Sequence, residues 1–503
     1  MDGVLHVLSL LCGLALFLYG MEVMSDALKR SAGNQLKSIL GRMTSNPVSG
    51  FILGLVVTAV VQSSSATTVM VVGFVNSGTM SLRQSVGVIM GSNLGAALTA
   101  WIVSLSGIDA GEGASAILTF LKPSTWIPIL AMIGIFMNLF SKRGRKKDIG
   151  AIFLGFTVLM VGMENMSNSV AFLRDSESFR SMFTMFSNPL LGLLVGLVVT
   201  AIIQSSGASV GILQSLTTTG AITYGAAIPI IVGQNIGTCV TALLSSIGAN
   251  TNAKRAALIH LMFNVFGSII FTVFLLCWPS FMQDTLVRWF PQAQTQIAMF
   301  HTFFNVICVA IFLPFTSLFV KIATKVIREK KEKSVDEARF LDERILQTPA
   351  IALNQATKET DYLAQLAMQS LSVAFEGFIE ENVDAKAKVD ELNARCADLE
   401  RRIVDYLIRI SSNDVSYGDE KIISALHHGV NDIVRISELA DNITRYTANC
   451  KRDDITFSDS VKSSLKDMFE KILALYASTK QVFAEGDVTA LKAVDSIEDE
   501  IDH

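Results

Sequence analysis

Long apolar segments fill this sequence up to about Lys325, and several reach the length of about 20 residues that a helix needs to cross a bilayer. Hydrocarbon offers no partner for backbone N–H and C=O groups, so such segments satisfy their own hydrogen bonds as helices. We therefore predict an all-α fold with a polytopic membrane domain. The seven candidate crossings are Val4–Tyr19, Ser85–Leu105, Trp126–Phe140, Ala151–Val161, Ala226–Ile247, Leu258–Pro279 and Ala298–Val320.

The apolar region contains an internal duplication. VVQSSSATTV begins at Val60 and IIQSSGASV matches it further on, so that Gln62 and Gln204 lie 142 positions apart (204 − 62). The same offset aligns GMEVMS with GMENMS, NPVSGFILGLVVTAVVQSSSA with NPLLGLLVGLVVTAIIQSSGA, and IMGSNLGAALTA with IVGQNIGTCVTA. So many polar and glycine matches at one offset indicate two structural repeats. They occupy about 1–140 and about 149–280, and an extra helix follows at about 298–320.

The two segments that carry the Gln-Ser-Ser motifs, Asn46–Asn76 and Asn188–Thr218, are not predicted to be full crossings. The apolar part before each glutamine has about 15 residues, which span about 22 Å as a helix against a hydrocarbon core of about 30 Å. Each segment is therefore predicted to be a re-entrant helical hairpin with its polar tip near mid-membrane. A hairpin of this kind adds no net crossing.

The distribution of charge predicts the orientation. Up to Lys333 the chain has 22 basic and 12 acidic residues (+10), and the remainder has 19 and 33 (−14), which together give the net charge of −4. With the N-terminus outside, the basic clusters fall on the cytoplasmic side, as the positive-inside rule requires. Three crossings then separate equivalent points of the repeats, so we predict inverted repeats with one hairpin entering from each side. We expect a multi-pass protein of the plasma (inner) membrane with a cytoplasmic C-terminal part.

The hairpin tips are rich in hydroxyl and amide groups and contain no charge. No Asp, Glu, Lys, Arg or His occurs between Arg42 and Arg83 or between Arg180 and Lys254. An anion can still bind where helix N-termini present free N–H groups and a positive dipole end. Backbone carbonyl and Ser or Thr oxygens suit a hard cation such as Na⁺, which would offset the charge of a multivalent anion at low dielectric. Proton coupling would need a titrating side chain in the hairpins, which have none.

The paired motifs QSSSATT and QSSGAS, followed by GSNLG and GQNIG, resemble the type II sodium–phosphate cotransporter family over about the first 320 residues. The resemblance implies inorganic phosphate held between the two hairpin tips, with Na⁺ nearby. It implicates seven residues in phosphate binding: Gln62, Ser63, Ser64, Ser65, Gln204, Ser205 and Ser206. To Na⁺ we assign six oxygen-bearing residues: Thr67, Thr68, Asn93, Ser209, Asn235 and Thr238. Gly207 stands where the first repeat has Ser65, so the two half-sites differ chemically.

Residues 349–503 are predicted to form a soluble antiparallel helical bundle, joined to the membrane domain (1–328) by a linker at 329–348. The amphipathic helices of this part resemble the PhoU family. DIVRISELADNI from Asp432 approximates the metal-binding helix of that family, with Val434 and Ser437 where Glu and Gly are expected. The resemblance leaves Glu438 and Asp441 as candidate metal ligands.

Some features have two interpretations. Gly87, Gly91 and Gly95 are four residues apart and fit either close helix packing or helix breaking. His260 and His301 are isolated in the sequence and are predicted to be packing residues.

Two classes of function fit the sequence. The first is a sodium-coupled secondary transporter of inorganic phosphate that works by alternating access and is regulated by its cytoplasmic bundle. The second is a membrane-anchored phosphate sensor without net transport, and transport of another small anion such as arsenate or sulfate is left open. We find no nucleotide-binding loop or nucleophile–base pair, so we do not predict an enzyme. Phosphate, sodium and the lipid bilayer are the expected partners, without an organic cofactor or nucleic acid, and a homo-oligomer is left open.

Overall fold

The computed structural model describes residues 2–41, 46–105, 123–141, 144–171, 188–220, 222–278, 280–281, 283–328, 340–413, 415–485, 489 and 491–502. Regular structure in these ranges is helical throughout, which confirms the all-α prediction. The chain divides into two compact units, of which the first comprises Met1–Ser334 and Asp342–Ala350, and the second Val335–Leu341 and Ile351–His503. Residues 329–339 of the predicted linker lie outside the described ranges.

The first unit contains fourteen of the helices described. They are α1 Asp2–Gly41, α2 Pro47–Val61, α3 Ser64–Asn76, α4 Leu82–Gly95, α5 Ala97–Ser104, α6 Pro123–Phe140, α7 Arg145–Val170, α8 Pro189–Ile203, α9 Ser206–Thr218, α10 Tyr224–Gly237, α11 Cys239–Ser245, α12 Thr251–Cys277, α13 Ala293–Phe312 and α14 Thr316–Val326. Short helical turns at Gln283–Val287, Leu313–Phe315 and Glu343–Gln347 complete it.

Six helical stretches of the described chain are long and apolar enough to cross a membrane, so the protein is a multi-pass membrane protein. They are Leu5–Ala32, Leu82–Ser104, Arg145–Val170, Tyr224–Ser245, Thr251–Cys277 and Ala293–Val326. Six of the predicted crossings fall within these stretches or overlap them. The seventh, Trp126–Phe140, lies in α6, whose apolar part Thr125–Phe140 belongs with the shorter apolar helices.

Equivalent helices of the two repeats, α1 and α7, pack directly against each other. A Cβ atom on Gly13 would lie 3.0 Å from the carbonyl oxygen of Gly162, and one on Gly20 would lie 2.6 Å from that of Gly155. The contacts run in opposite directions along the two helices, which are therefore antiparallel. Gly155 and Gly162 are the repeat equivalents of Gly13 and Gly20, so each half contributes the same two glycines to this contact.

Glycines also bring α4 against the first hairpin helix, α2. A Cβ atom on Gly87 would lie 2.3 Å from the carbonyl oxygen of Pro47, and one on Gly91 would lie 2.0 Å from that of Phe51. The second repeat has the same contact between α10 and α8, where Gly233 would place a Cβ atom 1.9 Å from a backbone oxygen. These distances favour the packing interpretation of the glycine series.

We expect Gly91→Ala to destabilise the first unit, because a Cβ atom at 2.0 Å forces α2 and α4 apart. Overpacking of this kind typically costs about 1–3 kcal/mol. The measurement is the thermal unfolding midpoint of the purified protein in detergent. Gly225→Ala in α10 is the matched control, since nothing lies within 4 Å of an added Cβ there. Equal midpoints for the two variants would contradict this view of the α2–α4 contact.

The segment Asp342–Thr348, hereafter the connector, packs on the end of α3 remote from the Gln-Ser-Ser tip. The Asp342 carboxylate accepts hydrogen bonds from Asn76 Nδ2 and Arg344 Nη1, both at 2.8 Å. Arg344 Nε donates to the carbonyl oxygen of Ser245, at the end of α11. Asn250, at the start of α12, donates from its backbone N to Asn76 Oδ1 and from its side-chain Nδ2 to Asn76 O. The connector therefore touches both repeats.

Apolar contact strengthens this attachment. Ile345 is completely buried, and its side chain lies where a Cβ atom on Gly73 would meet it, at 3.0 Å. Gly73 thus provides a gap on α3 that receives Ile345. Part of the stretch predicted as a linker is a packed element of the first unit.

The second unit consists of helices that continue the numbering: α15 Pro349–Ile379, whose first two residues belong to the first unit, α16 Ala385–Ser411, α17 Tyr417–Arg452, α18 Asp459–Lys480 and α19 Leu491–Asp502. Their amphipathic faces meet in a small core that includes Ala374, Val389 and Ala440. Phe375 of α15 stacks on Phe469 of α18 with ring centroids 4.1 Å apart, which joins the fourth helix to the others.

Candidate functional site

Both Gln-Ser-Ser motifs form sharp breaks between two helices. Gln62 (φ 55°, ψ 23°) and Gln204 (φ 57°, ψ 21°) adopt the left-handed conformation, which is uncommon for a residue other than glycine. The following serines are N-caps: Ser63 Oγ accepts from the backbone N of Ala66 at 3.1 Å, and Ser205 Oγ makes the equivalent bond at 3.2 Å. Each tip therefore stops one helix and starts the next within two residues.

The two tips meet. Ser64 Oγ and Ser206 Oγ lie 3.5 Å apart, and these two residues occupy equivalent positions in the two repeats. Both are buried. The N-termini of α3 and α9 consequently converge, and the first N–H groups of each helix have no partner within the helix. Two positive dipole ends directed at one place create a region suited to an anion.

The glutamines of the two tips differ in their surroundings. Gln62 is buried, and its Oε1 accepts a hydrogen bond of 3.1 Å from Thr99 Oγ1, while its Nε2 donates to Ala59 O. Gln204 is exposed, and its side-chain amide makes no hydrogen bond with the residues that the structure describes. Thr241, the repeat equivalent of Thr99, donates to the carbonyl oxygen of Thr238 instead.

Hydroxyl groups just behind the tips differ in the same way. In the first repeat Thr58 Oγ1 donates to Thr67 Oγ1 at 3.0 Å. The equivalent hydroxyls of the second repeat, on Thr200 and Ser209, are buried and have no partner among the residues the structure describes. Ser65 Oγ and Gln234 Oε1 are buried and unpaired in that same sense. Buried polar atoms usually have hydrogen-bond partners, so a bound ligand could supply the partner that these oxygens lack.

The predicted phosphate residues come together more closely than the predicted Na⁺ residues. All seven of the former lie in the two breaks or in the first turn after them. Thr67 and Thr68 lie one turn further along α3 and donate to the backbone oxygens of Ser63 and Ser64. Ser209 occupies the matching place in α9. The remaining three, Asn93, Asn235 and Thr238, lie on α4 and at the end of α10.

Asn93 and Asn235 make the same side-chain hydrogen bond, and Asn235 makes one additional contact. Each amide nitrogen donates to a backbone oxygen one turn earlier, at 3.0 Å and 3.2 Å. Asn235 Oδ1 additionally lies 3.3 Å from His301 Nε2, on the helix α13 that stands outside the duplication. A carbonyl oxygen only accepts, so His301 donates from Nε2. His301, predicted to be a packing residue, thus touches a predicted Na⁺ residue.

Sequence reasoning also missed three polar residues that organise the site. Thr58 and Thr99 bond to motif residues, and Gln214 of α9 donates from Nε2 to the backbone oxygens of Ala100 and Gln294. A signal for two of them was present, because Thr58 and Thr99 both have threonine equivalents at the 142-residue offset. Gln214 has no such match, because Val72 stands at the equivalent position.

One of the two proposed metal ligands of the second unit, Asp441, is paired with basic residues. Lys386 Nζ lies 2.9 Å from the Asp441 carboxylate, which Arg445 also contacts. The hydrogen bond from Lys386 is the largest cause that holds the pKa of Asp441 below its usual value. In the described part of the chain no group of three or more His, Cys, Asp or Glu side chains is placed to hold a metal ion. Metal binding at Glu438 and Asp441 stays a prediction.

The sequence is similar to known proteins. The profile of the Na⁺/Pi-cotransporter family matches residues 16–168 and 159–277, once for each repeat. The chain is 26% identical over 500 residues to YjbB of Escherichia coli strain K12, a protein named for inorganic phosphate export, covering 97% of this chain and 87% of YjbB.

Two further relatives match shorter parts. The uncharacterized protein YqeW of Bacillus subtilis is 29% identical over 317 residues, which cover 62% of this chain and 96% of YqeW. The sodium-dependent phosphate transport protein 2A of Mus musculus is 37% identical over 110 residues, 22% of this chain and 17% of the mouse protein. No solved structure matches.

Proposed function

Because the chain belongs to the Na⁺/Pi-cotransporter family, whose members are transporters and not enzymes, we propose that it is a sodium-coupled secondary transporter of inorganic phosphate. The observation that carries the proposal is the contact between Ser64 and Ser206, which joins the N-termini of α3 and α9. Phosphate would bind there, held by the free N–H groups and by the serine hydroxyls and glutamine amides of the two tips. Relatives named for phosphate transport support the choice of anion.

The test is ³²P-phosphate flux into proteoliposomes with an imposed Na⁺ gradient. Na⁺-driven accumulation is expected. Binding without flux would favour the second candidate, a membrane-anchored sensor. Competition by sulfate and arsenate measures which anions the protein accepts. Repeating the assay with the Na⁺ gradient reversed gives the direction of net phosphate transport, which is of interest because one relative is named for export.

Unpaired oxygens support Na⁺ as the coupling ion. Na⁺ prefers hydroxyl and carbonyl oxygens, and Thr200, Ser209 and Gln234 each have a buried oxygen without a partner in the described chain. The proposed ligands Asn235 and Thr238 lie on the same helix end as Gln234. In the first repeat the corresponding hydroxyls of Thr58 and Thr67 are hydrogen bonded to each other. The second repeat therefore has more oxygens free to bind Na⁺ in this structure.

We expect phosphate binding to require Na⁺, and K⁺ not to replace it. The described parts of both hairpins contain no basic side chain, so a multivalent anion there needs a cation to offset its charge. The measurement is phosphate affinity in NaCl, KCl and choline chloride at equal ionic strength. Affinity in choline equal to that in Na⁺ would rule out the co-bound cation.

Two contacts support inverted repeats and alternating access. The equivalent helices α1 and α7 are antiparallel and share the same glycines, and the equivalent serines of the tips touch. A two-fold axis across the helices, in the plane of the membrane, would produce both contacts. Rocking of one repeat against the other about the tips would then open the site to each side in turn.

We further propose an inner-membrane location with the N-terminus outside and the second unit in the cytoplasm, where it regulates transport. The basic residues of the predicted inner loops support the orientation. The connector supports regulation, because Asp342 binds Asn76 of the first repeat while Arg344 binds Ser245 of the second. A segment bonded to both repeats restrains their relative motion, and α15 begins immediately after it. A PhoU-like function of the second unit remains part of this proposal.

A further inference from the structure

A glutamine–threonine hydrogen bond is present in the first repeat and absent in the second, although both repeats have the two residues. Gln62 and Gln204 have the same backbone conformation, and each repeat has a threonine at the matching place, Thr99 and Thr241. Yet Thr99 donates to Gln62 at 3.1 Å, whereas Thr241 donates to the backbone of Thr238 at 3.2 Å. The bonding residues are the same in both repeats, although one neighbour differs: a Cβ atom on Gly207 would lie 2.8 Å from Thr99, and the first repeat has Ser65 at the equivalent place. The two threonines therefore make different contacts in this structure.

A second pair of contacts also differs between the repeats, at a place where Ser209 stands in the position of Thr67. Thr58 and Thr67 are hydrogen bonded at 3.0 Å, while their equivalents Thr200 and Ser209 are buried without partners in the described chain. Exposure agrees as well, since Gln62 is 8% exposed and Gln204 lies at the surface. By these three observations the first tip is closed, meaning buried and hydrogen bonded, and the second tip is open, meaning that its glutamine is exposed and not hydrogen bonded in the described chain.

We infer that Thr99 and Thr241 are positioning residues that hold one hairpin glutamine at a time. This inference rests on the proposed alternating access. In the state described here Thr99 fixes Gln62, and Gln204 is free. In the opposite state Thr241 leaves Thr238 and donates to Gln204, while Thr99 releases Gln62. Each threonine has one hydroxyl proton and so serves one acceptor at a time.

This exchange keeps the two states close in free energy. Each state has one glutamine–threonine bond, so the bond lost at one tip is replaced at the other. A net hydrogen bond of this kind changes an equilibrium about threefold to tenfold. Removal of one threonine hydroxyl should therefore shift the populations by about that factor, in a direction that depends on which threonine is changed.

The experiment is hydrogen–deuterium exchange of the full-length protein in lipid nanodiscs, read on peptides that cover 60–68 and 202–210. Thr99→Val should speed exchange in 60–68 about threefold to tenfold and slow it in 202–210. Thr241→Val should do the reverse, and the double variant should return towards wild type. Valine keeps the shape of threonine, and Thr157→Val, which loses only a bond to the backbone of its own helix, is the control.

Opposite shifts in the two single variants support the inference. Shifts of the same sign in both peptides, or no shift beyond the Thr157→Val control, overturn it. A merely structural role of either threonine would loosen both tips together. Hydrogen–deuterium exchange does not require transport, so its result is independent of the flux experiment. Absence of flux would contradict the proposed function, and not the positions of the two threonines.

Discussion

Gln62→Ala and Gln204→Ala are each expected to abolish phosphate flux while leaving a folded, membrane-inserted protein. Both glutamines lie at tips whose neighbouring serines touch, so both amides are within the proposed phosphate site. Loss of a hydrogen-bond donor to a buried charged ligand typically costs about 1.5–3 kcal/mol, which weakens binding about tenfold to a hundredfold. Initial rates of ³²P uptake and phosphate affinity of the purified variants provide the measurement.

The two variants should differ in stability, which serves as an internal check. Gln62→Ala leaves the hydroxyl of Thr99 without its acceptor, whereas Gln204 has no partner to lose in the described chain. Gln62→Ala should therefore have the lower unfolding midpoint although both lose flux. Gln84→Ala, which removes the capping-box side chain at the start of α4, is the control and should keep its flux. Wild-type flux from either tip variant would show that the tips are structural.

A chain that ends at Ala350 is expected to transport phosphate, and a chain that ends at Glu332 is expected to do so faster but with lower stability. Both lack Ile351–His503, which is nearly all of the second unit, but only the longer one retains the connector that binds both repeats. Loss of the buried bonds of Asp342 and of the apolar contact of Ile345 removes a restraint on rocking, so turnover should rise several-fold. Flux and unfolding midpoint of both truncations give the comparison.

Asp342→Ala in the full-length chain separates the connector from the second unit. It removes the acceptor for Asn76 and Arg344 and should reproduce the faster turnover of the shorter truncation. Asp284→Ala, an aspartate elsewhere in the first unit, is the matched control. A well-folded chain ending at Ala350 that binds phosphate but carries no flux would make the second unit part of the transport machinery and exclude a purely regulatory role.

Much of the fold could be predicted because it depends on local rules. Apolar length, the 142-residue offset and the Gln-Ser-Ser motifs are enough to predict helices, repeats and breaks at Gln62 and Gln204, since a serine after an apolar helix provides the cap of the next one. The contact between Ser64 and Ser206 follows once the repeats are related by symmetry.

The rest depends on tertiary contacts that no local pattern encodes. Asp342 lies near a run of charges typical of a linker, and only the distant Asn76 shows that it is a packed residue. The unequal bonding of Thr99 and Thr241 depends on contacts in the folded protein, and the 142-residue offset, which aligns the two threonines, does not distinguish them. The contact of His301 with Asn235 joins residues 66 positions apart on different helices, so no local pattern distinguishes His301 from a packing residue.

The glycine contact between α1 and α7 also bears on the origin of the chain. Gly13 meets Gly162 and Gly20 meets Gly155, so each half presents the same surface to the other. This is the isologous interface of a symmetric homodimer. Under the proposed inverted arrangement, two separate copies of one repeat in opposite orientations would meet through the same glycines. In a single chain each half can differ, as Gly207 at the place equivalent to Ser65 does, whereas a side chain at any of the four glycines would separate the two helices.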